Sequence, residues 1–253
     1  CASAAAASLF LLANLVRSEV REPAVLGLVC ALVGAMLGYG LAAAWGLLAL
    51  GQAADTCLLR VPLFFVCVSL FHAAEFLFTV VFHPADIEFR AFLLTPVPAG
   101  GYSVAMVAAL AEFWTERSLL GEWVPLWLAA PLLCCGSGLA LGGWALRAAA
   151  LFTAGSNFTH LVADRKEASH ELVTWGVYSW CRHPGYVGWF LWSVSTQLVL
   201  ANPVCLAAYT LVSWRFFQGR IPNEEDLLLD FFGDGYLDYA RRVPCGLPGI
   251  SEL

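Results

Sequence analysis

The sequence predicts an all-α integral membrane protein that forms a single domain over residues 1–253. Of the 253 residues, 60% are hydrophobic and only 13% are charged, which is more apolar surface than one soluble core of this size can bury. The apolar residues are gathered into long runs that short polar segments separate. Lipid offers no partners to backbone N–H and C=O groups, so we expect these runs to be helices.

Seven apolar stretches have the length and composition of helices that cross or enter a membrane. In chain order they cover roughly residues 2–16, 24–50, 61–82, 98–115, 123–151, 186–200 and 203–217. The second stretch, at about 27 residues, is longer than the roughly 20 needed to cross, so it either tilts or breaks near Gly38, Tyr39 and Gly40. We therefore expect transmembrane helices over 1–151 and a catalytic region over 152–253.

The last two stretches are joined only by Ala201, Asn202 and Pro203, which predicts a tight helical hairpin at 186–217. Two antiparallel helices return the chain to the side from which it entered. The loop before the hairpin and the tail after it therefore share one face of the membrane.

The positive charges indicate which face this is. If every stretch crosses once, 11 of the 13 Lys and Arg residues fall on the side of that loop and tail, and only Arg60 and Arg117 fall opposite. The positive-inside rule then places the loop and the tail in the cytosol.

Glycine spacing does not indicate a nucleotide-binding domain in this chain. Gly136, Gly138 and Gly142 are spaced like a phosphate-binding loop, but they lie in an apolar helix that no strand precedes. We expect them, and likewise Gly34 and Gly38, to allow close packing of helices. No strands alternate with helices, which excludes a Rossmann-type fold.

Disulfide, metal and nucleic-acid functions are also disfavoured. The nine cysteines include no CxxC pair, and several lie in apolar runs, so they are expected to pack rather than to form disulfides. The five histidines show no HExxH spacing, so no metal is expected. Lys and Arg are sparse and scattered and the net charge is −6, so no nucleic-acid partner is expected.

Two pairs of ionisable residues lie in or beside the apolar stretches. His72 and Glu75 are three positions apart inside the third stretch, where ionisable groups are costly and often functional. A buried polar pair that fixes helix packing is the preferred interpretation, and a functional pair is the alternative. Glu112 and Glu116 are interpreted as interfacial charges.

The chemistry-bearing residues are concentrated in the two polar segments that flank the hairpin. The first reads GVYSWCRHPGYVG at 176–188, where Arg182, His183, Pro184 and Tyr186 supply a charge, a titratable ring, a stiff turn and a phenol. The tail carries Arg220 and Glu224, four positions apart and able to share a helix face.

Pro222 leaves two alternatives for the tail, either a continuous helix or a break with a new amphipathic helix that starts near it. Several residues of both segments fit a simple anchor at the lipid headgroups: Trp180, Trp189, Tyr239, Arg241 and Arg242. Anchoring does not explain the Arg-His-Pro turn or the paired carboxylates at 224 and 225.

Over roughly residues 147–250 the chain resembles the isoprenylcysteine carboxyl methyltransferases, integral membrane enzymes that methylate the C-terminal carboxylate of prenylated proteins. The resemblance rests on LRAAALFTAGSNFTHLV, LVTWGVYSWCRHPGYVGWFLWSVSTQLVLANPVC, WRFF, EE, FFG, YLDY and RRVPCGLP, with FHAAEF at 71–76 as a weaker match upstream. RHPxYxG alone also occurs in membrane sterol reductases and phospholipid methyltransferases. The FTAGSNF and RVPxGLP runs distinguish this family.

This resemblance implies eight spans, so the expected count is seven to eight, and seven would be reconciled by a helix before Cys1. It implies S-adenosylmethionine in a cytosolic pocket built from the loop and the tail, and residence in the endoplasmic reticulum membrane. It implies, as substrate, the prenylated cysteine of small GTPases and other lipidated proteins processed from C-a-a-X ends.

The resemblance also implies roles for individual residues. The cofactor would be bound by His170, Leu172, Val173, Tyr178, His183, Pro184, Gly185, Tyr186 and Glu224. Arg220 would face the lipidated substrate. Arg182 belongs to the same motif as His183 and Pro184 and would be catalytic as well. The chain departs from the family pattern at Gly185, where serine is common, and around Pro222, which puts the Arg220 geometry in question.

General chemistry makes these roles plausible. A C-terminal carboxylate has a pKa near about 3.5 and is already ionised at neutral pH, so methylation needs no general base. The enzyme has to place one oxygen in line with the methyl group, and an arginine such as Arg220 can orient that carboxylate. A reductase that uses NADPH and a non-catalytic membrane scaffold are the alternatives.

Overall fold

The computed structural model describes residues 23–50, 56–93, 101–121, 124–158 and 171–250. Within these ranges the regular elements are all helical. The α-helices are α1 (Pro23–Ala49), α2 (Thr56–Phe82), α3 (Gly101–Leu120), α4 (Leu126–Ala154), α5 (Pro184–Leu200), α6 (Pro203–Phe232) and α7 (Asp234–Ala240). Short 3-10 helices lie at Pro84–Asp86, Phe89–Phe92, Gly155–Asn157 and Gly176–Ser179.

Three segments of the described chain are long and apolar enough to cross a membrane: Pro23–Ala49, Cys57–Phe82 and Trp127–Asn157. They coincide with the predicted stretches at 24–50, 61–82 and 123–151. The predicted stretch at 2–16 lies outside the described residues. The all-helical, multi-pass membrane fold expected from the sequence is confirmed at this level.

One helix is more regular than the apolar pattern indicated, and another is longer. α1 continues without a break through Gly38–Gly40. α6 extends 30 residues, well beyond the apolar stretch that ends at 217, and Pro222 lies inside it. A proline in a helix interior costs about 3 kcal/mol, and here the buried Ile221 and Glu225 on either side hold the helix in place.

The chain divides into two compact units whose boundaries fall inside α4, α5 and α6 rather than in linkers. Unit 1 contains Cys1–Gly138 and Thr196–Cys205, and unit 2 contains Leu139–Ser195 and Leu206–Leu253.

The core of unit 1 is built on α2. Phe64, Phe71 and Phe78 recur every seven residues on one face of that helix and are almost fully buried. His72 is also buried, and its Nδ1–H donates to the carbonyl oxygen of Phe92 at 2.6 Å. This bond ties α2 to the 3-10 segment at Phe89–Phe92, as a packing role for His72 requires.

A second group of unit 1, here called the turn cluster, consists of Arg60, Glu112, Gln197 and Asn202. Arg60 donates to the carbonyl oxygen of Val199 at 2.8 Å and to that of Ala129 at 3.1 Å. A cation at the last carbonyls of α5 is favoured by the helix dipole.

Glu112 has the opposite role at the start of α6. Its two carboxylate oxygens accept from the backbone N–H groups of Val204 and Cys205 at 2.7 and 2.6 Å. The interpretation of Glu112 as a plain interfacial charge was therefore incomplete, since it caps a helix N-terminus. Asn202, between the helices, donates to the Ala109 carbonyl at 2.7 Å and to Gln197 Oε1 at 3.2 Å.

The glycine prediction is confirmed at one of its five positions, and the described residues show no close contact at the other four. A Cβ on Gly136 would lie 2.7 Å from the Val199 backbone nitrogen in unit 1, so close packing requires glycine there. At Gly34, Gly38, Gly138 and Gly142 no described atom lies within 4 Å of the Cβ position. In unit 2 the close crossing of α4 and α5 instead uses Gly143 and Gly188, where a Cβ on Gly143 would lie 2.7 Å from the Gly188 carbonyl oxygen.

Candidate active site

Unit 2 contains a cavity of about 150 Å³, which is room for a small ligand rather than for one water molecule. Its wall comes from the end of α4, the loop before α5, the first turn of α5, the second half of α6 and α7. The lining residues are Ala154, Asn157, Phe158, Glu171, Leu172, Val173, Tyr178, Arg182, His183, Pro184, Gly185, Tyr186, Arg220, Glu224, Leu227, Leu228, Phe231, Phe232, Tyr236 and Tyr239.

All predicted site residues within the described chain lie on this wall. They are Leu172, Val173, Tyr178, Arg182, His183, Pro184, Gly185, Tyr186, Arg220 and Glu224. His170, the remaining predicted residue, lies outside the described residues.

The Arg-His-Pro turn is held against the tail by backbone hydrogen bonds. Pro184 is the first residue of α5, a position where its fixed φ suits the helix and its missing N–H costs nothing. Just before it, the Arg182 N–H donates to the Pro244 carbonyl at 2.9 Å and the His183 N–H donates to the Cys245 carbonyl at 3.2 Å. These bonds bring two segments about 60 residues apart in sequence to one wall of the cavity.

The polar face of the cavity is centred on the phenol of Tyr186. Its hydroxyl donates to Glu224 and accepts from Arg220 Nε at 2.8 Å. The Arg220 guanidinium also lies over the rings of Tyr186 and Phe216, at 5.6 and 5.8 Å from their centroids. Because α6 is continuous through Pro222, Arg220 and Glu224 share one helix face, which the sequence had left open.

A buried charged group lies behind this face. Glu225 Oε1 accepts from Arg182 Nε at 2.8 Å and from His183 Nε2 at 3.0 Å. Arg182 Nη1 also donates to the carbonyl oxygens of Ala240 and Val243, at 3.0 and 2.6 Å. Arg182, His183, Tyr186, Arg220, Glu224 and Glu225 are here called the cavity cluster.

The surroundings of Glu225 and Arg182 favour the ionised form of both side chains. Burial acts to raise the pKa of Glu225, but hydrogen bonds and charges from His183 and Arg182 outweigh burial, and the pKa is lowered from its ordinary value. Burial acts to lower the pKa of Arg182, but the hydrogen bond and charge of Glu225 outweigh it and the pKa is raised. Both shifts indicate an ion pair at neutral pH.

The tyrosines on the wall remain protonated. Burial is the largest cause that raises the pKa of Tyr178, and it raises the pKa of Tyr239 in the same way. The Tyr239 hydroxyl donates to the Tyr178 carbonyl at 2.6 Å, and Tyr239 is buried. The anchor interpretation is therefore wrong for Tyr239, whereas Trp180, Arg241 and Arg242 are exposed as an anchor requires.

Sequence reasoning missed several residues of this site. Arg147 is buried and donates to the Gly185 carbonyl at 3.3 Å. From the sequence it was counted only among the positive charges that indicate the orientation of the chain in the membrane. Asn157 accepts from the Glu171 N–H at 2.8 Å and donates to the Ala154 carbonyl at 3.2 Å, so it links α4 to the loop. Both residues lie in the LRAAALFTAGSNF run, which was the available signal.

His183, Glu225 and Cys245 lie close enough together for their ligand atoms to hold a metal ion. However, the Glu225 oxygen already accepts from two nitrogens, one of which belongs to a guanidinium. A cation placed there would lie beside the positive charge of Arg182. The geometry therefore favours a hydrogen-bonded ion pair over a metal centre.

Comparison with known proteins identifies the family of this chain. A model of the isoprenylcysteine carboxyl methyltransferase family matches residues 136–230, which include α5 and most of α6. A protein-S-isoprenylcysteine O-methyltransferase from Mus musculus is 47% identical over 191 residues, covering 75% of this chain and 65% of that protein. Protein-S-isoprenylcysteine O-methyltransferase B from Arabidopsis thaliana is 36% identical, covering 78% of this chain and 97% of that protein.

Comparison with solved structures identifies the same family. A solved structure of the eukaryotic intramembrane Ras methyltransferase, an isoprenylcysteine carboxyl methyltransferase, has a TM-score of 0.77 and 39% identity, covering 88% of this chain and 75% of that one. The fold is thus similar to that of an intramembrane enzyme. The chain belongs to the isoprenylcysteine carboxyl methyltransferase family, and it spans about two thirds of the length of the mouse relative.

Proposed function

We propose that this chain transfers a methyl group from S-adenosylmethionine to the C-terminal carboxylate of a prenylated cysteine. The observation that carries the proposal is the juxtaposition of Arg220, Tyr186 and Glu224 on one cavity wall, in a chain of this family. The relatives named above are methyltransferases, so the reductase and scaffold alternatives are not favoured.

The cavity residues fit the proposed methyl donor. S-adenosylmethionine, when bound, supplies an electrophilic methyl group on a positively charged sulfur. Aromatic faces and a carboxylate suit such a cation, and Tyr178, Tyr186 and Glu224 line the cavity. Leu227, Leu228 and Phe231 continue the same face of α6 with apolar side chains, which suits an uncharged ring.

Arg220 has the position and charge to orient the substrate. Its Nε is directed by the Tyr186 hydroxyl, and two rings flank its guanidinium, so the group is held in a defined direction. A charge-assisted hydrogen bond from Arg220 to one carboxylate oxygen would leave the other oxygen to react. The substrate is already ionised, so the chain has to supply orientation and exclusion of water but no base.

The lipid part of the substrate agrees with the membrane fold. A prenyl chain favours hydrocarbon by about 0.8 kcal/mol per buried methylene, whereas its cysteine carboxylate belongs at the interface. We place the cavity at the cytosolic side of the endoplasmic reticulum membrane, with seven to eight helices in a single domain. Prenylated small GTPases and other lipidated C-a-a-X products are the proposed substrates.

Membranes that contain this chain test the proposal when incubated with labelled S-adenosylmethionine and a farnesylated cysteine analogue. We expect base-labile methyl ester from the wild type. The absence of ester from a folded wild-type protein would overturn the proposed activity. NADPH, added separately, should not raise the melting temperature of the purified protein as S-adenosylhomocysteine does.

A further inference from the structure

We infer that Glu225 is a positioning residue that holds the His183 ring at the cavity wall and acts on the reaction through that ring. This inference rests on the proposed function. Glu225 lies outside the cavity lining and does not itself face a ligand.

The adjacent carboxylates Glu224 and Glu225 have different surroundings. Successive residues of a helix point about 100° apart, so two neighbours cannot face the same space. Glu224 lines the cavity, whereas Glu225 is 1% exposed and turned toward the Arg-His-Pro turn. The two carboxylates therefore have separate roles.

One oxygen of Glu225 fixes two consecutive residues. Arg182 Nε and His183 Nε2 both donate to Oε1, and the backbone N–H groups of the same two residues donate to the tail. A side-chain bond and a backbone bond thus hold each residue, and the His183 ring cannot rotate without losing the bond to Glu225. The partner of one ring nitrogen also determines which tautomer is present, so Glu225 fixes the tautomer of His183 as well as its orientation.

The fixed ring is in turn connected to the polar face. The His183 and Tyr186 rings are parallel, with an interplanar angle of 2° and centroids 5.5 Å apart. The Tyr186 hydroxyl contacts both Arg220 and Glu224. A displacement of His183 would therefore also displace Arg220 and Glu224, which are proposed to bind the substrate carboxylate and the methyl donor.

The simpler alternative is that Glu225 only neutralises the buried charge of Arg182. Breaking one partner of a buried ion pair can unfold a protein, so E225Q alone does not separate the two ideas. The charge-balanced variant R182Q/E225Q removes both charges and leaves His183 without its carboxylate. The single variant R182Q shows what the loss of Arg182 does by itself. If Glu225 only neutralises Arg182, adding E225Q to R182Q should cause no further loss of activity.

The experiment measures kcat, and KM for each substrate, in the wild type, E225Q, R182Q, R182Q/E225Q, H183A and H183A/E225Q. Asp226→Asn is the matched control, since it removes one carboxylate from the next, exposed residue of the same helix. We expect kcat to fall about tenfold to a hundredfold from wild type to E225Q and again from R182Q to R182Q/E225Q, while KM for the lipid analogue changes less than about threefold in each step. Adding E225Q to H183A should change kcat less than about twofold, because the ring that Glu225 positions is already absent from H183A.

A readout without any ligand accompanies the kinetics. In protein labelled with 15N at histidine, the ring nitrogen signals that are missing in H183A identify His183. These signals should shift in R182Q/E225Q and stay unchanged in D226N. Equal kinetics in R182Q and R182Q/E225Q, or multiplying losses in H183A/E225Q, would overturn the positioning role. Failure of the wild type to form ester would overturn the proposed function instead, while the ring signals still test the contact with Glu225.

Discussion

The turn cluster of unit 1 and the cavity cluster of unit 2 are both groups of buried and half-buried charged and polar residues, yet they use their hydrogen bonds differently. In the turn cluster, Arg60 and Glu112 bond to backbone carbonyls and amides at helix ends. In the cavity cluster, side chains such as Tyr186, Arg220 and Glu224 bond chiefly to one another and border open space.

This difference separates structural charge from functional charge. A charged group whose bonds go to helix ends satisfies backbone groups that lipid would leave unpaired. A charged group that is held by other side chains beside a cavity keeps a defined direction for a ligand. Burial and charge alone do not distinguish the two, because both Arg60 and Glu225 are buried.

The largest effect should come from the cavity cluster. Replacing Glu224 with Gln, or Arg220 with Gln, is expected to lower methyl transfer about 100-fold to 1,000-fold, as removal of one preorganised charged group does in other enzymes. Arg215→Gln, which neutralises an exposed arginine of the same helix, is the control and should retain activity. Initial rates of ester formation give the comparison, and equal loss in R215Q would contradict it.

The turn cluster should show the reverse pattern. Replacing Arg60 with Met is expected to lower the free energy of unfolding by about 2–3 kcal/mol, because the α5 carbonyls lose a charged donor. Thermal unfolding in detergent, with Arg215→Met as the exposed control, measures this loss. The specific activity of the protein that remains folded should not change, and a loss of activity without a loss of stability would break the distinction.

A smaller effect of opposite sign is expected at Ala201, between α5 and α6. Its φ of 61° lies in the left-handed region, which costs a residue with a Cβ roughly 1–2 kcal/mol. Replacement by Gly removes this strain, and part of the gain is offset by the greater freedom of glycine in the unfolded chain. We expect a melting temperature slightly above that of the wild type with unchanged activity, and a lower one would show that the Ala201 methyl group matters more than the strain.

The smallest expected effect is a pH dependence that belongs to the cavity cluster. The pKa of Glu225 is lowered in the folded protein, so its contribution to stability is complete above its ordinary value of 4.5 and is lost as the pH falls through the folded value. The wild type should therefore lose more stability than R182Q/E225Q when the pH is lowered from about 6 to about 4, below the unfolded pKa. Parallel stability curves for the two proteins would contradict the assigned ion pair.

Much of the fold could be predicted because backbone groups in lipid must pair with one another, so long apolar runs of the sequence indicate helices. The stretch at 186–200 and α5 agree to within two residues at the start, and the hairpin turn at 201–203 follows from the absence of any longer connection. The end of α6 could not be predicted in the same way. Beyond residue 217 the helix is polar, and tertiary packing around Ile221 rather than hydropathy carries it past Pro222.

Site residues that belong to a short sequence motif could be predicted. Residues that join the site through contacts between distant parts of the chain were missed. Arg182 and His183 could be identified from their turn, but their shared partner Glu225 lies more than 40 positions away in sequence. Tyr239 was misassigned because an exposed and a buried aromatic residue near the headgroups look alike in sequence. Only the fold shows that its hydroxyl reaches the Tyr178 carbonyl.

Because α6 is unbroken over its 30 residues, it forms a single rod about 45 Å long. Only the part before residue 218 is apolar enough to rest in hydrocarbon, so bilayer thickness sets the height at which the rod sits. The half that carries Arg220 rises or sinks with it. Under the proposed function, a thicker membrane would thus move Arg220 relative to the headgroups, where the carboxylate of a lipid-anchored substrate would lie.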